Sequence, residues 1–210
     1  LPRADVQIDE TGLHGYLADR TVLVTGAGGS IGAELCEQLA RLRPFRLVLV
    51  DISEYNLYRL EQRLREGRAE GGIECCIADV RDTAIMDGLF RQHQPDVVLH
   101  AAAYKHVPLM ERYPAEAFRN NTLATVGLLR LCERHGAERF VFVSTDKAVA
   151  PASVMGATKR LAEWYVRTAT SSVERTIVRF GNVFGSRGSV VPFFERRLAE
   201  GAHVPVTHPD

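Results

Sequence analysis

Short, almost continuously apolar runs alternate with longer amphipathic segments along most of the chain. The runs are Thr21–Thr25 (TVLVT), Arg46–Asp51 (RLVLVD), Ile73–Ala78 (IECCIA), Asp96–His100 (DVVLH), Arg139–Ser144 (RFVFVS) and Thr176–Phe180 (TIVRF). Runs this short with so little polar interruption predict strands buried on both faces. Between them, Ile31–Arg41, Glu54–Glu66, Thr83–Gln92, Ala115–His135 and Met155–Thr168 read as helices. The alternation predicts an α/β fold, a doubly wound parallel sheet with helices on both faces and right-handed crossovers. Residues 1–20 are polar and irregular and read as an arm or connector; residues 21–180 carry the alternation. After Phe180 it breaks at Gly181–Gly188, and a short helix near Pro192–Glu200 marks the start of a partial second lobe over residues 181–210.

A length of 210 residues suits one domain plus an extra element. Twenty-six basic residues balance 26 acidic ones, which argues against a polybasic nucleic-acid binder. The basic cluster Arg63–Arg68 lies among acids, as on a solvated helix face. No window approaches the roughly 18 apolar residues of a membrane span, so no membrane contact is expected of this stretch. The chain opens at Leu1 and stops after Val-Thr-His-Pro-Asp, and it reads as a piece of a longer protein. Cys36, Cys75, Cys76 and Cys132 lack CxxC spacing and are expected to be buried thiols in a reducing compartment.

Gly26-Ala27-Gly28-Gly29-Ser30-Ile31-Gly32 directly follows the first strand and opens the first helix after it. Glycines there permit a tight turn and a close approach of backbone to a pyrophosphate, with helix N-terminal amides facing the anion. Asp51 ends the second strand, nineteen residues past Gly32. An acid at this spacing accepts hydrogen bonds from ribose hydroxyls and repels a 2′-phosphate, favouring NAD over NADP. It would equally serve to cap the helix after Ser53. Asp79 ends the third strand, either at an adenine edge or as a plain turn residue.

Four further blocks follow the remaining strands: His100-Ala101-Ala102-Ala103-Tyr104-Lys105-His106-Val107-Pro108, Ser144-Thr145-Asp146-Lys147-Ala148, Val154-Met155-Gly156-Ala157-Thr158-Lys159-Arg160 and Arg179-Phe180-Gly181-Asn182-Val183. With the glycine loop they resemble the extended short-chain dehydrogenase/reductase superfamily. Within it they are similar to the nucleotide-sugar 4,6-dehydratases of polysaccharide and glycan biosynthesis, the UDP-N-acetylglucosamine type. The resemblance runs from about Thr21 to the end, and the Thr-Asp-Lys and Val-Met-Gly-Ala-Thr-Lys blocks are its specific parts. It implies a Rossmann-like sheet and an NAD cofactor held by Gly26, Gly29, Ser30, Ile31, Gly32, Asp51, Ser53, Asp79, Val80, Ala101, Ala102, Ala103, Lys105 and Lys159. It further implies a UDP-sugar substrate, a homo-oligomer, and a cytoplasmic domain of a parent anchored on the inner membrane.

Superfamily members carry Tyr-x-x-x-Lys on the helix after strand five, two positions that share a helix face. Lys159 stands at the lysine position, and Met155 occupies that of the tyrosine. A thioether has no proton to exchange, so Met155 is not a base. In the membrane-anchored branch of these dehydratases methionine stands there.

The implied reaction oxidises C4 of the hexose, removes the C5 hydrogen and the C6 hydroxyl as water, and reduces C6. It needs a base and an acid side by side, tuned towards neutrality. The resemblance assigns Lys147 as the C5 base and Asp146 as the acid at C6, with the reverse assignment open. Partial burial would depress Lys147, and a closed pocket would raise Asp146. Thr145 would hydrogen-bond the 4-hydroxyl and, linked to Lys159 through water, take its proton. Lys105 would meet cofactor or sugar phosphate. Asn182 would touch the diphosphate, and Ser186–Phe193, including Ser189 and Val190, would wall the uridine, with Arg187 alternatively a solvated residue. Asn121, grouped with Lys147 among the substrate contacts, would orient the active-site backbone or cap a helix. The seven histidines show no metal-ligand spacing, so no metal is expected, and His100 and His106 read as structural.

Three rivals remain at this level. A UDP-hexose 4-epimerase shares the C4 oxidation, needs no acid–base pair at C5 and C6, and would retain the tyrosine. A C5-inverting dehydratase would retain it too, so Met155 favours retention at C5. A dinucleotide-binding regulator without catalysis would suit Met155 but leave Thr145-Asp146-Lys147 without a purpose.

Overall fold

The computed structural model describes residues 9–66, 72–181, 183, 197–201 and 203. Six parallel strands form one sheet, β1 (Thr21–Thr25), β2 (Arg46–Asp51), β3 (Gly72–Ile77), β4 (Val97–His100), β5 (Arg139–Thr145) and β6 (Glu174–Phe180), in the order β3-β2-β1-β4-β5-β6. This is the doubly wound order, whose ligand crevice lies outside the carboxyl ends of the strands, where the order reverses between β1 and β4. The predicted α/β architecture is therefore the one observed.

Alternate residues of the central strands serve the two faces. Leu23, Val48 and Val50 join Phe90, Leu128, Phe140, Phe142 and Ala162 on one side. Val22, Val24, Leu47 and Leu49 join Cys36, Leu39, Leu57 and Leu60 on the other. Helices α2 (Ser30–Arg41) and α3 (Glu54–Glu66) cover the second face. On the first lie α4 (Thr83–His93), α7 (Ala124–His135) and α8 (Val154–Thr168). Two-sided burial holds for β1 and β2, whereas the edge strands β3 and β6 expose alternate residues. An edge has a neighbour on one side only. Cys75 is accordingly exposed on β3 and Cys76 half-buried, so burial of all four thiols is corrected to Cys36 and Cys132; all four are free.

Three elements differ from the pattern-based reading. The N-terminal segment is not irregular throughout: α1 (Glu10–Leu17) starts at Asp9, whose carboxylate caps Gly12, and Leu17 packs into the second core face. A short helix α5 (Val107–Arg112) follows β4. The long helix expected over 115–135 is α6 (Pro114–Phe118), a π-helical turn over Arg119–Leu123, and α7. That widened turn sends three successive polar residues, Asn120, Asn121 and Thr122, into the interior, which a regular amphipathic helix does not do.

The chain divides into two compact units, Leu1–Arg179 and Phe180–Asp210. In the second, Arg197–Ala199 are helical and the Arg197 guanidinium donates to the His203 carbonyl. Among the described residues, no helix is long and apolar enough to cross a membrane.

Candidate active site

The glycine loop is shaped by backbone meeting backbone. Gly26 adopts φ +67°, and a Cβ there would lie 2.6 Å from the Ala102 amide nitrogen. A Cβ on Gly32 would lie 2.0 Å from the Gly26 carbonyl oxygen. Gly29 is the N-cap of α2 and offers no side chain, and the first helical turn holds no acid. The positive end of α2 is thus covered by neither an acidic nor a capping side chain from these positions. Ser30 and Ile31 are half-buried within it.

Asp51 braces this loop. The Gly28 amide donates to its Oδ2 at 2.9 Å and the Ser53 amide to its Oδ1 at 2.8 Å. Capping of α3 falls to Ser53, whose hydroxyl accepts from the Asn56 amide at 3.4 Å. Gly28 was not singled out in the sequence, although a Cβ there would meet Asn56 Cβ at 2.5 Å. Its place in the glycine run was the available signal.

Asp79 does not present a free carboxylate. Arg81 donates to both of its oxygens and also to Glu116 Oε2 at 2.9 Å. The Arg81 hydrogen bonds hold the Asp79 carboxyl below its usual range. Val80 packs against the first core face beside it. A cleft of about 740 Å³, lined in part by Asp79, Arg81, Thr83, Glu116 and Arg119, opens here. After β4, Ala101 and Ala102 are half-buried beneath Gly26, while Ala103 and Lys105 are exposed.

At the end of β5, Asp146–Ala148 form a 3₁₀ turn. Lys147 Nζ lies 3.1 Å from Asp146 Oδ1, and the Thr145 hydroxyl donates to the same oxygen at 3.0 Å. The expectation of a closed pocket raising Asp146 is corrected: its side chain is 55% exposed, and the Lys147 and Thr145 hydrogen bonds lower its pKa. Gly156 seats α8 on this turn, since a Cβ there would stand 2.5 Å from the Lys147 carbonyl oxygen.

Helix α8 carries Met155 and Lys159. Met155 is buried in a small apolar cluster with Met110 and Ala117, so its position is one of packing. Lys159 is 3% exposed, donates to the Val143 carbonyl at 2.7 Å and lies 3.9 Å from the centroid of the Phe142 ring. Burial lowers its pKa to about 7, opposed by the charge of Glu163. Glu163 is itself a buried carboxylate that the sequence reading missed. It accepts from Ser144 Oγ at 2.6 Å and pairs with Arg179 through both oxygens. Burial pushes its pKa up, but Arg179 and Ser144 hold it below the usual range.

Asn121, expected among the substrate contacts, has no exposed surface. Its side chain accepts from the Tyr104 amide at 2.8 Å and donates to the Tyr104 carbonyl and to Thr158 Oγ1. It therefore holds the loop before Lys105 from behind. Asn182, Ser189 and Val190 lie outside the described residues. Among the described residues no group of three or more His, Cys, Asp or Glu side chains is arranged to hold a metal.

The family described as "Polysaccharide biosynthesis protein" matches residues 22–210. The chain belongs to this family. It is 45% identical over its whole length to the probable polysaccharide biosynthesis protein EpsC of Bacillus subtilis, but spans only 36% of that relative. At 32% identity, over 90–91% of the chain and 57% of each relative, it is similar to two enzymes of different activity. One is a UDP-N-acetylglucosamine 4,6-dehydratase (inverting) of Campylobacter jejuni, the other a UDP-glucose 4-epimerase of Rickettsia canadensis. Among solved structures, Pen from Bacillus thuringiensis superposes with a TM-score of 0.85 at 32% identity, covering 92% of this chain and 61% of that one.

Proposed function

We propose that the full-length protein dehydrates a UDP-N-acetylhexosamine, UDP-N-acetylglucosamine for preference, to its 4-keto-6-deoxy sugar with C5 configuration retained, using NAD. The observation that carries this reading is the Lys147–Asp146 pair, 3.1 Å apart at the end of β5, beside a helix whose tyrosine-equivalent position is a buried thioether. An epimerase needs no such pair, and would need a phenol where Met155 stands.

The residues present fit the cofactor. Gly26 and Gly32 leave no room for a side chain, and α2 opens without a capping side chain, which suits a pyrophosphate. A carboxylate has about four lone-pair sites; on Asp51, amides take two, and the rest suit ribose hydroxyls. The charge of Asp51 disfavours a 2′-phosphate. When bound, NAD supplies an acceptor, then a donor, of hydride.

The proton account closes on this chain's own groups. Lys147 takes the C5 proton and returns one to the same carbon. Asp146, ionised at the start, takes the proton released from the 4-hydroxyl and in the next step gives it to the departing C6 hydroxyl. Thr145 is the route for that proton, since its hydroxyl already donates to Asp146 Oδ1 at 3.0 Å. Asp146 needs cover before it can act as an acid. A sugar seated over the turn would desolvate the pair and penalise both charges.

Incubation of the full-length protein with NAD⁺ and UDP-N-acetylglucosamine tests the reading by mass spectrometry. A product lighter by one water supports it. An isobaric C4 epimer would favour the second reading, a 4-epimerase, which the relative of that activity keeps in play. An unchanged substrate would defeat both.

A further inference from the structure

Behind the site runs a chain of buried polar groups that this chemistry does not use. The register of β1 against β4 sets Thr25 beside His100, and Thr25 Oγ1 lies 2.7 Å from His100 Nδ1. The other ring nitrogen, Nε2, lies 2.9 Å from Thr125 Oγ1. Thr125 gives its own proton to the Asn121 carbonyl at 2.9 Å. A hydroxyl has one proton to donate, so Thr125 must accept from His100. The ring proton therefore sits on Nε2, and Nδ1 accepts from Thr25. A single neutral tautomer satisfies every member, and Thr25, His100, Asn121 and Thr125 have no exposed surface. Burial drives the His100 pKa down to about 3.

The ends of the chain fall at three places the site depends on. Thr25 immediately precedes Gly26. Asn121 holds Tyr104, next to Lys105. Through Thr158, which donates to the Met155 carbonyl, Asn121 also reaches α8 one residue before Lys159. Packing alone does not ask for an imidazole, because Phe140 and Phe142 already flank the ring, with centroids 6.1 and 5.6 Å away. An apolar ring would fill the space without the desolvation cost of a polar one.

We propose that His100 is a positioning residue which, as the neutral Nε2–H tautomer, ties the cofactor loop at the end of β1 to the π-helical turn that sets the Lys105 loop and the Lys159 helix. The proposal rests on the functional reading only in taking NAD as the ligand of the glycine loop.

The test uses Thr125→Val, which breaks the bridge on the side away from the cofactor, and Thr125→Ser, which keeps the hydroxyl. Histidine ¹⁵N spectra of the full-length protein should show the Nε2–H tautomer for His100. Thr125→Val should weaken NAD⁺ binding about tenfold, the scale of one buried hydrogen bond. It should also shift the amide resonances of both Gly26 and Lys105, and Thr125→Ser should restore both readouts. An Nδ1–H tautomer would overturn the proposal. So would a Thr125→Val protein with lowered Tm but unchanged NAD⁺ affinity and shifts confined to the π-helical turn. Failure of the wild-type protein to bind NAD⁺ would defeat the functional reading instead, and the amide shifts would still decide the bridge.

Discussion

The glycine loop and the Thr145–Lys147 turn sit on strands of one sheet, yet they are built in opposite ways. The loop is over-determined: glycines pressed on backbone at Gly26 and Gly32, and Asp51 tied to two amides. The turn is exposed, with Lys147 and Asp146 holding one another in water. On the proposed reading, the comparison teaches that the binding half is preformed and the chemical half is left to be completed by whatever covers it. Rigid backbone recognition needs no partner to exist, whereas acid–base tuning needs exclusion of water.

That contrast can be broken most severely at the turn. Asp146→Asn should lower turnover about 10²- to 10⁴-fold, the usual share of a general acid, with Tm unchanged because the side chain is exposed. Steady-state kinetics beside a thermal melt separates the two effects. A smaller energy is at stake beneath the turn. Arg179→Met takes its bidentate partner from Glu163, only 1% exposed, leaving Arg160 at 3.6 Å and the Ser144 hydroxyl, and should cost about 1–3 kcal/mol in denaturant unfolding. Because the folded Glu163 pKa is depressed, its stabilisation is present above the unfolded carboxyl range and fades as pH falls through the folded value. The variant should therefore lose part of the wild type's acid sensitivity.

The loop should answer differently. Gly32→Ala forces a methyl to within 2.0 Å of the Gly26 carbonyl, which should cost about 1–3 kcal/mol in stability and abolish NAD⁺ binding by calorimetry. The smallest expected effect comes from Lys159. Its folded pKa is lowered to about 7, so above that pH the unfolded chain binds the extra proton and stability rises with pH. The slope is at most about 1.4 kcal/mol per unit. It is best read between about pH 7 and 8.5, before ionisation of unfolded thiols opposes it through Cys36 and Cys132, whose buried thiols are pushed up. Lys159→Met should flatten it.

What the sequence disclosed follows the same division. The strands were legible because burial on both faces writes itself as an uninterrupted apolar run, and the glycine loop because its spacing is local. Helix α1 was not: only its end reaches the core, through Leu17, so no periodicity announces it. The π-helical turn adds a residue per turn that a 3.6-residue pattern does not register. Glu163 met Arg179 across sixteen residues and Ser144 across nineteen, pairings that only the packed sheet creates. The exposure of Asp146 was misjudged for a related reason: a motif names the residue type but not the water around it.

The central claim, that Lys147 and Asp146 move a proton on and off C5 so that water can leave, is tested most directly by turnover of UDP-N-acetylglucosamine in D₂O, followed by NMR of the product. The account predicts a 4-keto-6-deoxy sugar carrying one deuterium at C5, with the configuration there unchanged. A product that keeps its C5 hydrogen and its C6 hydroxyl, altered only in the orientation at C4, would contradict it.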